Sequence, residues 1–141
     1  MITVYAVNMF VIGLVVMIHY EFLHAITLLM PRLKIRHRFR IVLGVFLALT
    51  AHAAEVWIFG ISYYFMNKAE AWGHLKGNFD GSLLDCVYFS FTSYTTLGFG
   101  DIVPFGDLRF LTGLESLTGL VLITWTASFL YLEMTRYWDE N

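Results

Sequence analysis

Apolar residues fill most of this chain in three long stretches that are separated by short polar segments. The stretches cover residues 2–30, about 41–66 and about 108–131. As helices, they would each reach roughly 35 Å or more, which exceeds the ~30 Å hydrocarbon core of a bilayer. The pattern therefore predicts three transmembrane helices.

A fourth, shorter helix is predicted over 82–94, between the second and third stretches. Ser82 followed by Asp85 resembles a capping box, the side-chain arrangement that opens many helices. This helix would be about 20 Å long, so it enters the membrane without crossing it. Glycine and proline content predicts irregular structure on both sides, namely the loop 67–81 and the turn at Pro104 and Gly106.

The composition indicates a membrane protein. Of 141 residues, 58% are hydrophobic and 14% are charged, whereas soluble domains carry about 25% charged residues. Five of the nine Lys and Arg residues lie in 32–40, where they alternate with apolar residues. Because apolar spans flank this segment, we expect it to bind anionic lipid and not nucleic acid. The single cysteine, Cys86, excludes an intrachain disulfide.

The basic segment also predicts the orientation of the chain. Positively charged loops stay on the cytoplasmic side, so the N-terminus and the loop 67–81 would be outside and the C-terminus inside. Residues 1–8 carry no basic side chain, and the first stretch is therefore predicted to be a retained helix and not a cleaved signal. The predicted location is the inner membrane of a cell, as a multi-pass protein.

The most informative segment is 95–101, with the sequence TTLGFGD, directly after the short helix. Gly98 and Gly100 permit backbone angles that other residues resist, so successive carbonyl oxygens can face one axis. Carbonyl oxygens in single file can replace the hydration shell of a cation. One loop cannot surround an ion, whereas four copies around a closed symmetry axis can, so the segment predicts a homotetramer.

The pattern Thr-x-Gly-aromatic-Gly-Asp, together with the short helix and a span on each side, resembles the pore of the potassium-channel superfamily. It is most similar to two-pore-domain and small bacterial potassium channels, over roughly 41–131. The resemblance implies an all-α membrane protein with three transmembrane helices, a re-entrant pore helix and a selectivity-filter loop, assembled as a tetrameric pore. The implied units are an additional N-terminal helix 1–30, a basic cytoplasmic interfacial segment 31–40 and a pore module 41–141.

Within the pore module, the resemblance implies an outer helix 41–66, an extracellular loop 67–81, a pore helix 82–94, a filter 95–101, an inner helix 108–131 and a short cytoplasmic tail. The implied function is passive, selective conduction of K⁺, with no enzymatic activity and no cofactor besides the permeant ion. The implied ion ligands are the carbonyl oxygens of Thr96, Leu97, Gly98 and Phe99, with the Thr96 hydroxyl. Filter support and the outer mouth are assigned to Thr95, Gly100 and Asp101.

In the inner helix, Gly119 aligns with the hinge glycine of simple two-helix potassium channels. The same alignment turns four residues toward the cavity, namely Leu120, Ile123, Ala127 and Tyr131, of which the last is a candidate for the inner constriction. A second interpretation remains open, in which Gly113 and Gly119 only allow helices to pack closely.

Three departures from the family pattern concern hydrogen bonds that brace the filter. Phe99 replaces the commoner tyrosine and lacks its hydroxyl. Tyr88 and Phe89 stand where many such channels carry a tryptophan pair, and Thr92 stands where a well-studied bacterial type has glutamate. These changes predict a deformable filter and therefore gating at the filter.

Glu115 is an acidic residue inside the third span. A carboxyl group there costs roughly 2.5–3.5 kcal/mol on insertion scales, so it should face protein or water. It is a candidate brace for the pore helix near Thr92 or Ser93, and the alternative is a pH sensor. Glu115 and Thr92 are thus predicted to tune the pore.

His52 and Glu55 lie three residues apart and can meet on one helix face, while His19, Glu21 and His24 cluster in the first span. Interhelical hydrogen bonding, proton sensing and metal binding remain open for these residues. The first span has no ladder of arginines, which argues against a voltage sensor. For the whole chain, the alternatives are a non-conducting modulatory subunit, a weakly selective cation channel and a membrane metalloenzyme.

Overall fold

The structure, a computed structural model, describes residues 2–69 and 71–138. Three of its helices are long and apolar enough to cross a membrane, which confirms the predicted three-span, mainly helical membrane fold. The elements in chain order are α1 (Ile2–Leu29), a 3-10 turn (Met30–Arg32), α2 (His37–Lys68), β1 (Gly73–Gly77), α3 (Leu83–Tyr94), β2 (Ile102–Gly106) and α4 (Leu108–Trp138).

Two helices extend beyond the apolar stretches that predicted them. Helix α2 begins at His37 and not at residue 41, so the end of the basic segment forms its first turn. Helix α4 continues to Trp138 and not only to residue 131, so the predicted tail is largely helical, and residues 139–141 lie outside the described residues. Lys, Arg, Glu and Met, which occur in these extensions, are good helix formers, and hydropathy therefore underestimates the helix length.

Helix α1 packs against α2 and α4 along one narrow stripe. Its buried residues recur every three or four positions, as expected for a helix with one buried face. His19 lies on this buried face, whereas His24 is exposed. The stripe consists of Val4, Asn8, Val11, Val15, His19, Leu23 and Ile26.

The short helix α3 lies between α2 and α4. Its first turn is capped by Ser82, whose hydroxyl accepts a bond from the Asp85 amide at 3.1 Å. The reciprocal bond of a capping box goes instead to Asp80, whose amide donates to the Asp85 carboxylate at 2.8 Å. Gly60 of α2 allows close approach, since an added Cβ atom would lie 2.6 Å from Val87 Cγ2. Helix α3 is thus capped at its start and packed closely against α2.

Strands β1 and β2 form an antiparallel pair in which Gly73 faces Gly106 and Gly77 faces Ile102. The prediction of a loop over 67–81 and a turn at Pro104 and Gly106 was therefore wrong in these parts. Pro104 is tolerated because a two-stranded sheet has only edge strands, where a missing amide donor need not break a ladder. Each strand has only five residues, and the pairing is non-local, so no local pattern indicates it.

Candidate ion-conduction site

The backbone of the filter segment 95–101 alternates in handedness. The φ angles of Thr96, Gly98 and Gly100 are 59°, 51° and 79°, whereas Leu97 and Phe99 have negative φ. Positive φ is rare for threonine, which makes Thr96 a strained position held by its surroundings. Alternation of left- and right-handed residues turns successive peptide groups the same way, so that their carbonyl oxygens can share one side.

The amide groups of the filter segment are directed back to α3. The amide of Thr96 donates to Ser93 O at 3.0 Å, and the amide of Gly98 donates to Thr92 O at 2.9 Å. Among the described residues, no donor reaches the carbonyl oxygens of positions 96–99. Unpaired carbonyl groups in the membrane interior cost free energy unless water or an ion satisfies them. The segment therefore has free carbonyl oxygens as acceptors, while the amides of Thr96 and Gly98 are already hydrogen-bonded to α3.

The C-terminal end of the filter segment is braced by three contacts. Asp101 accepts a bond from the Tyr88 hydroxyl at 2.9 Å through its carboxylate, and its carbonyl accepts from the Asn78 amide at 2.8 Å. Strand β2 begins at the next residue and is paired with β1. The bond to the Asp101 carboxylate raises the pKa of the Tyr88 phenol, so the hydroxyl remains a donor at neutral pH.

The braces change one prediction made from the sequence. Tyr88 was expected to weaken the support of the filter, and this is wrong because its phenol reaches the Asp101 carboxylate. Thr92 does not supply the missing carboxyl contact, since its hydroxyl donates to Phe89 O at 2.9 Å. Its carbonyl nevertheless accepts from Gly98, so Thr92 supports the filter through the main chain.

Glu115 is fully buried behind the pore helix and receives two hydroxyl donors. Ser90 of α3 donates to one carboxyl oxygen at 2.5 Å, and Tyr63 of α2 donates to the other at 2.5 Å. The structure thus places Glu115 against α3 at Ser90, just before the expected positions Thr92 and Ser93. Three helices are joined through this one carboxyl group.

Gly119 of α4 lies against the last residue of the pore helix. A Cβ atom built on Gly119 would be 2.1 Å from Tyr94 O, whereas one on Gly113 would have no neighbour within 4 Å. Gly119 therefore allows α4 to pack closely against α3, whereas Gly113 makes no such close contact. The residues expected to face the cavity are all exposed in the single chain, namely Leu120, Ile123, Ala127 and Tyr131.

The histidines and acidic residues of the first two spans separate into two groups. His52 and Glu55 meet as their spacing predicts, with Nδ1 and Oε2 3.1 Å apart. His19 joins them from α1, at 2.8 Å from Glu55 Oε1. The expected cluster of His19 with Glu21 and His24 is wrong, since the latter two are exposed on the opposite side of α1. The contact between His19 and Glu55 links distant segments and has no local sequence signal.

The structure places a capped short helix and a glycine-rich segment between two long apolar helices. A family model described as an ion channel matches residues 51–136, more than half of the chain, and the chain belongs to this ion-channel family. It is similar to the inward rectifier potassium channel Kirbac3.1 of Paramagnetospirillum magnetotacticum, with 37% identity over 57 residues. That alignment covers 40% of this chain and 19% of the relative. No solved structure gives a significant match.

These two matches confirm the resemblance to the potassium-channel superfamily that the filter motif indicated. The family match begins within α2 and ends near the end of α4. It therefore includes the second half of α2, the whole of α3, the segment 95–101 and nearly all of α4, and it leaves out α1. The protein is thus an ion-channel protein of the membrane.

Proposed function

We propose that the chain is one subunit of a homotetrameric potassium channel, with the segments 95–101 of four copies forming the selectivity filter. The observation that carries this proposal is the alternating backbone of that segment, whose amides are tied to α3. In the proposed mechanism, stacked carbonyl oxygens replace the water around K⁺, and repulsion between adjacent ions drives their exit. The ion ligands would be Thr96, Leu97, Gly98 and Phe99, and the permeant K⁺ is the only bound group required.

Selectivity for K⁺ is supported by two features. Both glycines of the filter motif are present and adopt positive φ, which retains the column of carbonyl oxygens despite Phe99. The relative from Paramagnetospirillum magnetotacticum is named a potassium channel. A weakly selective filter would differ in the rate at which Na⁺ passes, and flux measurements distinguish the two.

Assembly into a tetramer is supported by an apolar groove on the outer side of α3 and the filter segment. The side chains of Leu97 and Phe99 are 60% and 66% exposed in the single chain. Such a continuous exposed apolar surface indicates a contact with protein or lipid, and a neighbouring copy would cover it around a shared axis. The groove is lined chiefly by Trp57, Leu84, Tyr88, Phe91, Leu97 and Phe99.

The proposed orientation places the basic segment 32–40 in the cytoplasm. Arg32, Lys34, Arg36 and Arg38 are exposed around the start of α2, where they can contact anionic lipid headgroups. The N-terminus and the β1–β2 sheet would then be outside, and the C-terminus inside. This arrangement puts Asp101 at the outer mouth, where its charge concentrates cations.

The test is a comparison of K⁺ and Na⁺ flux through the purified chain in liposomes. We expect K⁺ flux that greatly exceeds Na⁺ flux, and its loss in Gly98→Ala, because Gly98 has a φ of 51° that alanine resists. Gly113→Ala is the matched control, since Gly113 has no positive φ and no neighbour within 4 Å of an added Cβ atom. Equal K⁺ and Na⁺ flux would indicate a weakly selective channel, and absence of flux would favour a modulatory subunit.

Removal of the Tyr88 hydroxyl is expected to destabilise the conducting filter without unfolding the chain. Tyr88→Phe deletes the donor to Asp101 and keeps the ring. We expect a severalfold lower open probability in planar bilayers, most marked at low K⁺, where fewer ions stabilise the filter. Tyr20→Phe is the control, since Tyr20 is exposed on α1 and its hydroxyl has no partner among the described residues. Equal open probability in Tyr88→Phe and the native chain would contradict the brace.

A further inference from the structure

Helices α1 and α2 bring a buried group of nitrogen and oxygen ligands together next to the end of α3. His19 of α1 and His52 of α2 direct their Nδ1 atoms to the two carboxyl oxygens of Glu55, at 2.8 Å and 3.1 Å. All three ligand atoms lie within 4.8 Å of one another. In the part of the chain that the structure describes, this is the one group of three or more His, Cys, Asp or Glu side chains so arranged.

The type of ligand selects a class of metal ion. Two imidazole nitrogens and one carboxylate suit Zn²⁺ and its neighbours among the transition metals, whereas Ca²⁺ and Mg²⁺ prefer oxygen ligands. In a four-coordinate zinc site, bonds of about 2.0–2.1 Å place neighbouring ligand atoms about 3.3 Å apart. The observed separations of 2.8 Å and 3.1 Å are slightly shorter, so small outward movements would admit an ion.

Thr126 and Tyr94 lie next to the three ligands, in positions that outer hydrogen-bond partners occupy in metal sites. A metal-bound histidine usually donates its second ring N–H to a polar partner, and His19 Nε2 lies 3.4 Å from the hydroxyl of Thr126 on α4. Tyr94, the last residue of α3, forms a hydrogen bond with Glu55 Oε2 and lies 3.0 Å from His52 Nδ1. It therefore orients the carboxylate of Glu55.

The same residues also form a closed hydrogen-bonded cluster without a metal, in which both Nδ1–H groups donate to Glu55. Metal binding requires the other tautomer, with the proton on Nε2 and the lone pair on Nδ1. For His19, the Thr126 hydroxyl can accept this Nε2 proton, so the required tautomer has a partner already in place. His52 retains 16% exposure of its side chain, against 1% for His19 and 0% for Glu55, and gives the ion a route of entry.

We infer that His19, His52 and Glu55 form a binding site for one divalent transition-metal ion of the zinc class per chain. Bound metal would fasten α1 to α2 and hold Tyr94, which immediately precedes the filter segment 95–101. The binding site itself does not depend on the proposed conduction of K⁺, and the test is therefore a binding measurement.

The probe is Co²⁺, added to the purified, tag-free chain after chelator treatment. We expect the intense visible absorption of four-coordinate Co²⁺, saturation at one ion per chain, and displacement of Co²⁺ by Zn²⁺. His19→Gln and His52→Gln should each weaken binding by about 100-fold or more, and Thr126→Val by a smaller factor of about tenfold, as for loss of an outer partner. His24→Gln is the matched control, since this histidine lies on the exposed side of the same helix.

Two outcomes would overturn the inference. One is a native chain that binds no Co²⁺ or Zn²⁺ under these conditions, and the other is equal binding by the native chain and the folded His19→Gln and His52→Gln variants. Size-exclusion chromatography shows whether each variant retains its fold. If both variants unfold, X-ray absorption of the zinc-loaded native chain decides, since the inference requires two imidazole ligands at the metal.

Discussion

Replacing Gly119 with alanine is expected to lower the stability of the chain and to abolish ion flux. The added Cβ atom would lie 2.1 Å from Tyr94 O and 2.9 Å from the carbonyl carbon. Main-chain atoms cannot rotate away as a side chain does, so α4 and the end of α3 must separate. We expect a loss of about 3 kcal/mol or more, at the upper end for overpacked sites, measured as a lower unfolding temperature in detergent.

The same variant separates close packing from a hinge. A glycine that serves only as a hinge is destabilising in a helix, so alanine would raise the stability by about 1 kcal/mol and reduce opening alone. Gly113→Ala should raise the stability in this way, because an added Cβ atom at Gly113 has no neighbour within 4 Å. Gly60→Ala should resemble Gly119→Ala, because its Cβ atom would lie 2.8 Å from Val87 Cα. A Gly119→Ala chain as stable as the native one would refute the packing role.

The parts of the fold that the sequence predicted are those with a local cause. The three spans follow from the length of the apolar stretches, and the start of α3 follows from Ser82, whose hydroxyl bonds the Asp85 amide. Gly98 and Gly100 were identified from the need for positive φ, which the structure shows. In each instance, one residue or one short pattern carries the physical constraint.

The parts that the sequence could not predict depend on contacts between distant segments. The pairing of β1 with β2 brackets α3 and the filter, and each strand alone is too short to produce a pattern. His19 meets Glu55 across 36 positions, and only the packing of α1 on α2 determines that His19 and not His24 is buried. Likewise, the hydrogen bond from Tyr88 to Asp101 could not be predicted, because the comparison with tryptophan does not show which group the tyrosine hydroxyl reaches.

The second large effect is expected at Tyr63, the fully buried partner of Glu115. Tyr63→Phe keeps the ring, which packs edge-on against Phe89 at 5.0 Å between centroids, and removes the hydroxyl that donates to Glu115 and lies 3.3 Å from the Thr112 hydroxyl. The carboxyl oxygen is then buried without its hydroxyl donor, which costs about 1–3 kcal/mol. We therefore expect a clear fall in unfolding temperature. Tyr64→Phe is the matched control, since among the described residues its hydroxyl bonds only to the exposed Lys68 and should contribute little.

A double-mutant cycle tests whether this cost belongs to the bond with Glu115. In a Glu115→Gln background, the carboxyl group that accepts the Tyr63 bond is absent, so Tyr63→Phe should cost less than in the native chain. The difference should be about 1–2 kcal/mol, within the range for residues in direct contact. Equal costs in both backgrounds would place the effect of Tyr63 elsewhere, for example in its 3.3 Å contact with Thr112. A purely structural role for Glu115 also predicts that Glu115→Gln leaves the pH response of the current unchanged, whereas a pH sensor would lose that response.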